Sequence, residues 1–183
     1  ANTNFSISNN RITNGNLTIS TGNLIHRKEI FNNIIDSGRL KITSTSPVTI
    51  MHNTIVADNI NNLNPVNGCI NFVGKIQHSK IYNNIFSVRN GNNVYTINDP
   101  SFTAGNNDTI FDYNVVYTSG DTVTYSFNSP NEIKKSQWVS NYHQDQHSSF
   151  FKPEFTGTHD FHPLNDYHNN NRGTGNLTFN TDL

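Results

Sequence analysis

One cysteine in 183 residues, Cys69, leaves no partner for an internal disulfide. A single thiol suits a cytosolic protein and equally the rigid repeat folds of many bacterial secreted proteins. Charge is scarce: charged residues make up 14% of the chain, and 12 Lys+Arg against 13 Asp+Glu give a formal net charge of -1. With no basic run there is no electrostatic footprint for nucleic acid and none for an anionic membrane. No apolar run approaches the roughly 18 residues that a membrane-spanning helix needs, and no signal peptide is recognisable. Helical periodicity is nearly missing; the one helix-like stretch is NEIKKSQWVSNY, residues 131–142.

The space left by charge is filled by 34 Asn, with many Thr and Ser. So little charge argues against ordinary disorder, which relies on repulsion. The 12 Phe, the 7 Tyr and many Ile suffice for a core in one domain of this length. Asn, Thr, Ser, Gly and aromatics together read as an all-β protein with many turns.

Five segments align without gaps: FSISNNRI (5–12), KEIFNNII (28–35), VTIMHNTI (48–55), SKIYNNIF (79–86) and TIFDYNVV (109–116). The sixth position is always Asn: Asn10, Asn33, Asn53, Asn84 and Asn114. Three residues earlier stand Ile7, Ile30, Ile50, Ile81 and Phe111; two residues later stand Ile12, Ile35, Ile55, Phe86 and Val116. Apolar positions five apart cannot share a face of a straight strand, because side chains alternate. A bend at the Asn resolves this, since Asn tolerates the left-handed region. Stacked corners let the Asn side chains bond along the stack. Asn33, Asn53, Asn84 and Asn114 are therefore expected in a line at bends, bonded between neighbouring coils, with Asn10 at the first coil.

Further short strands lie between or after the corners: NLTIST (16–21), RLKITS (39–44), CINFVG (69–74), VYTIND (94–99) and TVTYSF (122–127). Three strands per coil and about five coils make a right-handed parallel β-helix over residues 1–130. The alignment stops after Asn114, and Pro130, Pro153 and Pro163 remove ladder donors. Residues 131–183 are expected to fold back as an irregular C-terminal cap that buries Trp138, Phe150 and Phe155. The chain opens at ANTNFSISNN, already inside the pattern, which reads as a mature or trimmed fragment with the rest of a longer chain as a partner at its N-terminal end.

The corner pattern and the segment SQWVSNYHQDQHSSFFKPEF, followed by DFHPL, resemble the bacterial right-handed parallel β-helix repeat proteins of the pectate-lyase-like superfamily. After Leu164 the sequence NDYHNNNRG departs from what usually follows in that family. The resemblance implies a secreted or cell-surface protein and polysaccharide as the partner. It leaves activity open, because the fold hosts lyases, hydrolases, epimerases and inert scaffolds. In members that cleave acidic polysaccharides, a Lys or Arg on an outer sheet removes a proton beside a uronic-acid carboxylate, and calcium or a second cation neutralises that carboxylate. Such a base needs a depressed pKa beside another positive charge.

With Leu17, Leu40, Ile70, Val94 and Val123 pointing inward, Thr18, Lys41, Asn71, Tyr95 and Thr124 point outward. Lys41 is the candidate base, with Arg39 or Lys75 as carboxylate partner; Asn71, Lys75, His78 and Tyr95 are candidate substrate contacts. The competing reading is solvated lysines on a β surface. The sequence calls for no cofactor. Calcium enters only through the resemblance, and Asp99 and Asp108 each stand alone as loop-capping residues. His143 and His147 in HQDQH, with His159 and His162, lack the converging third ligand of a zinc site. Tyr82, Tyr113, Tyr117 and Tyr125 are further candidates for stacking on sugar. Two functions follow: a non-catalytic polysaccharide-interacting or scaffold module, which is preferred, and a lyase or hydrolase acting on an acidic polysaccharide.

Overall fold

The computed structural model describes residues 3–21, 25–44, 47–58, 68–91, 93–105, 108–126, 132–157 and 160–161. Strands follow one another in triplets. The first is β1 (Thr3–Ser8), β2 (Arg11–Thr13) and β3 (Leu17–Thr21); the next is β4 (Ile25–Phe31), β5 (Ile34–Asp36) and β6 (Leu40–Ser44). Then come β7 (Thr49–Met51), β8 (Thr54–Ala57) and β9 (Ile70–Val73), and β10 (Lys80–Tyr82), β11 (Ile85–Val88) and β12 (Tyr95–Asn98). The last triplet is β13 (Ile110–Asp112), β14 (Val115–Tyr117) and β15 (Thr122–Ser126). First members pair with first members, second with second and third with third, giving three sheets. Every pairing among these strands is parallel. A chain that climbs one rung per triplet is a parallel β-helix, in which each turn covers the apolar interior of the last.

The expected inward columns are in register. Ile7, Ile30, Ile50, Ile81 and Phe111 line the first sheet, and Ile12, Ile35, Ile55, Phe86 and Val116 line the second. Both columns belong to one apolar core. Burial of each such side chain stabilises by about 1.5–3 kcal/mol. The second sheet is also covered outside: Val56, Ile85 and Val115 point away from the core yet are buried. That double burial explains why β8 and β11 carry no exposed residue.

The corner works one residue earlier than the sequence suggests. The left-handed residues are Asn9, Asn32, His52, Asn83 and Tyr113, with φ between 53° and 59°. The stacked Asn follows each of them. Asn33 donates its backbone N–H (3.0 Å) and Nδ2 (2.9 Å) to Asn53 Oδ1. Asn53 does the same to Asn84 Oδ1, at 2.9 and 3.0 Å, and Asn84 to Asn114 Oδ1, at 3.0 and 3.1 Å. Asn10 joins the stack by the same two bonds to Asn33, at 3.1 and 3.0 Å. The Nδ2 of Asn10, Asn33, Asn53 and Asn84 also reaches the carbonyl two residues before it, as Asn84 does to Tyr82 at 2.9 Å. The side chain thus ties the bend to itself and to the next turn.

After β15 the regular climb ends. β16 (Glu132–Lys134) pairs antiparallel with β15, and α1 (Lys135–Ser140) follows. Trp138 lies across the end of the core, with its ring centroid 5.2 Å from that of Phe111 and 5.5 Å from that of Tyr95. The segment after α1 then seals the exposed edge. Gln144 Oε1 accepts from the Phe111 N–H at 2.7 Å, and Ser148 Oγ accepts from the Asn114 N–H at 2.8 Å. Ser149 bridges Val115 in parallel. Edge groups that would template aggregation are thereby occupied. Trp138 is fully buried as expected, whereas Phe150 and Phe155 are only half-buried. Residues 162–183 of the expected cap lie outside the described residues.

Cys69 sits in the core with its Sγ 3.4 Å from the Ile55 carbonyl, and burial pushes its thiol up to about 12. A thiol so placed is inert. Labelling by a thiol reagent at neutral pH is expected to run at the rate of global unfolding. Rapid labelling of the folded protein would overturn this.

Candidate functional site

The outward column proposed on the third sheet forms only in part. Register places Thr18, Lys41, Asn71, Thr96 and Tyr125 in line, and Leu17, Leu40, Ile70, Tyr95 and Thr124 in the adjacent inward line. Tyr95 and Thr124 are therefore a correction: both point inward. Tyr95 is 0% exposed, its ring packs 4.8 Å from Phe111, and its hydroxyl donates to Asp145 at 3.0 Å. No sugar reaches it. Val94 and Val123 are buried as expected, but each precedes the inward column by one residue. A slip of one residue flips every side chain to the other face.

Lys41 is exposed, and Arg39, just before β6, is half-buried with its backbone N–H on Asn16 Oδ1 at 3.2 Å. Asn71 faces outward yet is 7% exposed, and Thr96 beside it is fully buried. Lys75 and His78 are exposed but lie beyond the end of β9, in the turn that leads to the first sheet. Between Asn71 and Lys75 the strand ends at Val73 and the chain bends at Gly74, whose φ is 117°. The basic group thus divides into Lys41 with Arg39 at the start of the third sheet and Lys75 with His78 past its far edge. His78 is engaged with Asp108, through Nδ1 to Oδ2 at 2.5 Å and through its N–H to Oδ1 at 2.9 Å.

The remaining candidates sort by their partners. Asp99 is a loop cap, accepting from the Ile76 N–H at 2.8 Å and from the Ser101 N–H and hydroxyl at 2.9 and 2.6 Å. His147 pairs its Nδ1 with Asp112 Oδ2 at 2.7 Å and stacks on Tyr113, with centroids 5.1 Å apart. Tyr82 is half-buried with its hydroxyl on Met51 Sδ at 3.2 Å. Tyr82, Asp112, Tyr113 and His147 gather at the corner of the first sheet, next to Ile110, at 48% the most exposed large apolar side chain among the described residues. Tyr117 and Tyr125 are half-buried on the other two sheets. Among the described residues, no three His, Cys, Asp or Glu converge on a metal position, and no helix is long and apolar enough to cross a membrane. His159 and His162 lie outside the described residues.

Of the buried ionisable groups that escape the sequence reading, two bear on the interior of the coil. Lys28 fills an inward position in register with Phe5 and is 1% exposed; burial lowers its pKa. The signal was present: the first column of the five-fold alignment reads Phe5, Lys28, Val48, Ser79, Thr109, and the last four are buried. The other is Asp145, also buried, at the end of the Asn stack. Its Oδ1 accepts from Asn114 Nδ2 at 2.9 Å and Ser148 Oγ at 2.5 Å, and its Oδ2 from Trp138 Nε1 at 2.8 Å and Tyr95 at 3.0 Å. A carboxylate with four donors and no access is a structural anchor. Comparison with protein-family models, with curated proteins and with solved structures finds no match.

Proposed function

We propose that the chain is a non-catalytic module of a larger secreted or surface protein, a right-handed β-helix of about five coils that serves as scaffold and contacts polysaccharide. The pectate-lyase-like kinship suggested by the sequence motifs supports the choice of partner. The observation that carries the non-catalytic reading is the loss of the expected sugar contacts beside Lys41 and Arg39: Tyr95 points inward and is fully buried, and Asn71 is 7% exposed. The interior is spent on a stack of Asn ending in a fully engaged Asp145.

With Tyr95 inside and Asn71 and Thr96 buried, the outward line offers a linear glycan its two ends, Lys41 and Tyr125, three rungs apart and so about 14 Å. Lys supplies charge and Tyr a stacking face. Weak binding is expected, with Kd between millimolar and tens of micromolar, roughly 4–6 kcal/mol. Calorimetric titration with acidic and neutral oligosaccharides tests this: Lys41→Ala and Tyr125→Ala should each weaken binding several-fold. Binding indifferent to both substitutions would move the contact elsewhere. Release of unsaturated sugars from pectin, alginate or chondroitin, lost in Lys41→Ala, would replace the module reading with a lyase.

A further inference from the structure

We propose that the end formed by β1, β2 and β3 is a docking surface for one further turn of parallel β-helix, joined ahead of Thr3, whose corner Asn donates to Asn10. The inference deepens the module reading and is independent of the glycan.

The Asn stack has a direction. In each of four steps the earlier Asn donates its N–H and Nδ2, and the later Asn accepts both at Oδ1. Asn10 repeats the arrangement of the others, with Nδ2 on Ser8 O at 2.9 Å and on Asn33 Oδ1 at 3.0 Å. Its Oδ1 therefore faces the open end, and no donor among the described residues reaches it. The apolar lining tells the same story. Ile7, Ile12 and Leu17 are half-buried, while Ile30, Ile35 and Leu40, one rung on, are fully buried.

A glycine gives an independent sign. A β-carbon at Gly38 would lie 1.8 Å from the Gly15 carbonyl oxygen, so the preceding turn forbids a side chain there. Gly15 holds the same place one turn earlier. A β-carbon at Gly15 would meet only its own turn, Ile12 Cγ2 at 3.4 Å and Thr13 O at 3.9 Å. The open end thus keeps the clearance that a neighbouring backbone requires.

The same chemistry decides the occupant. Two copies meeting end to end would set Asn10 Oδ1 against Asn10 Oδ1, acceptor facing acceptor. A head-to-tail copy is blocked, because β16, α1 and Trp138 cover the other end. A turn in the same direction, entering β1 as each third-sheet strand enters the next turn, supplies donors, strand pairing and an apolar lid together.

The test adds a second copy of residues 25–47 ahead of Thr3. Its thermal midpoint should exceed that of the original chain by about 5 °C. Replacing the corner Asn of the added copy by Ala should remove at least half of that rise. Gly15→Ala should leave the original chain within about 1 °C and abolish the rise in the extended one. An unchanged midpoint with the added turn open to protease would overturn the proposal. So would Gly15→Ala proving harmless in both chains, or concentration-dependent dimers of the original chain in sedimentation. A failed glycan titration leaves all of these outcomes unaffected.

Discussion

Asp145→Ala is expected to lower the thermal midpoint by about 10 °C and to shift the emission of Trp138, the only tryptophan, to the red. The carboxylate holds Asn114, Ser148, Trp138 and Tyr95, so its removal strands four buried donors. Each stranded donor costs about 1–3 kcal/mol, and hydroxyls that can turn elsewhere sit at the low end, for a total of about 4 kcal/mol. Tyr95→Phe should cost about 1–2 kcal/mol, since it removes one bond to a charged group. Burial raises the Asp145 carboxyl from 3.8, and the four donors pull it back only in part. Between 3.8 and the raised folded value the folded chain therefore holds a proton that the unfolded chain has lost, and above that window the site is the four-donor carboxylate. Stability from this site is full below 3.8 and declines as pH rises through the raised folded value. Asp145→Asn should abolish that decline in urea titrations across pH, at the cost of setting an amide N–H against Trp138 Nε1. A slope that persists in Asp145→Asn would assign it to another group.

Asn84→Ala is expected to be as damaging, although it lies far from any end. It deprives the Asn53 N–H and Nδ2 of their acceptor and the Ile50 and Tyr82 carbonyls of a donor, all in a buried position. About 4 kcal/mol, or about 10 °C in thermal midpoint, should be lost. Asn10→Ala, exposed at the open end, should cost less than a third as much. Equal losses at the two sites would mean that the stack contributes little beyond local turn geometry.

The corners were legible because their constraint is local and recurs: two apolar columns flanking an Asn cannot be satisfied without a bend. The register of the third sheet was not. Val94 stands just before β12 and Val123 within β15, and each is buried immediately ahead of the inward Tyr95 or Thr124. Two adjacent buried residues carry no alternation, so the sequence does not say which of each pair faces inward. The preceding left-handed residue was missed because Asn holds it in three of five cases, beside a second Asn. Tyr113 shows what the position costs elsewhere: its strained φ of 56° is braced by Asp112 Oδ1 on its N–H at 2.9 Å and by His147 stacked on its ring. Asp145 was hidden by residue type alone. It follows Asn114 by 31 residues, the interval that separates Asn53 from Asn84.

The uniform sense of the Asn bonds has an electrostatic consequence. Each side-chain amide is a dipole, and five of them aligned head to tail add, as peptide units do along an α-helix. The positive pole of this array emerges at Asn114 Nδ2, where the Asp145 carboxylate sits at 2.9 Å. The negative pole emerges at Asn10 Oδ1. In a low-dielectric core such bonds polarise one another, so the charge at residue 145 strengthens each link back along the array. The column behaves as a polarised wire, with an anion fixed at one terminal and an appetite for hydrogen-bond donors at the other.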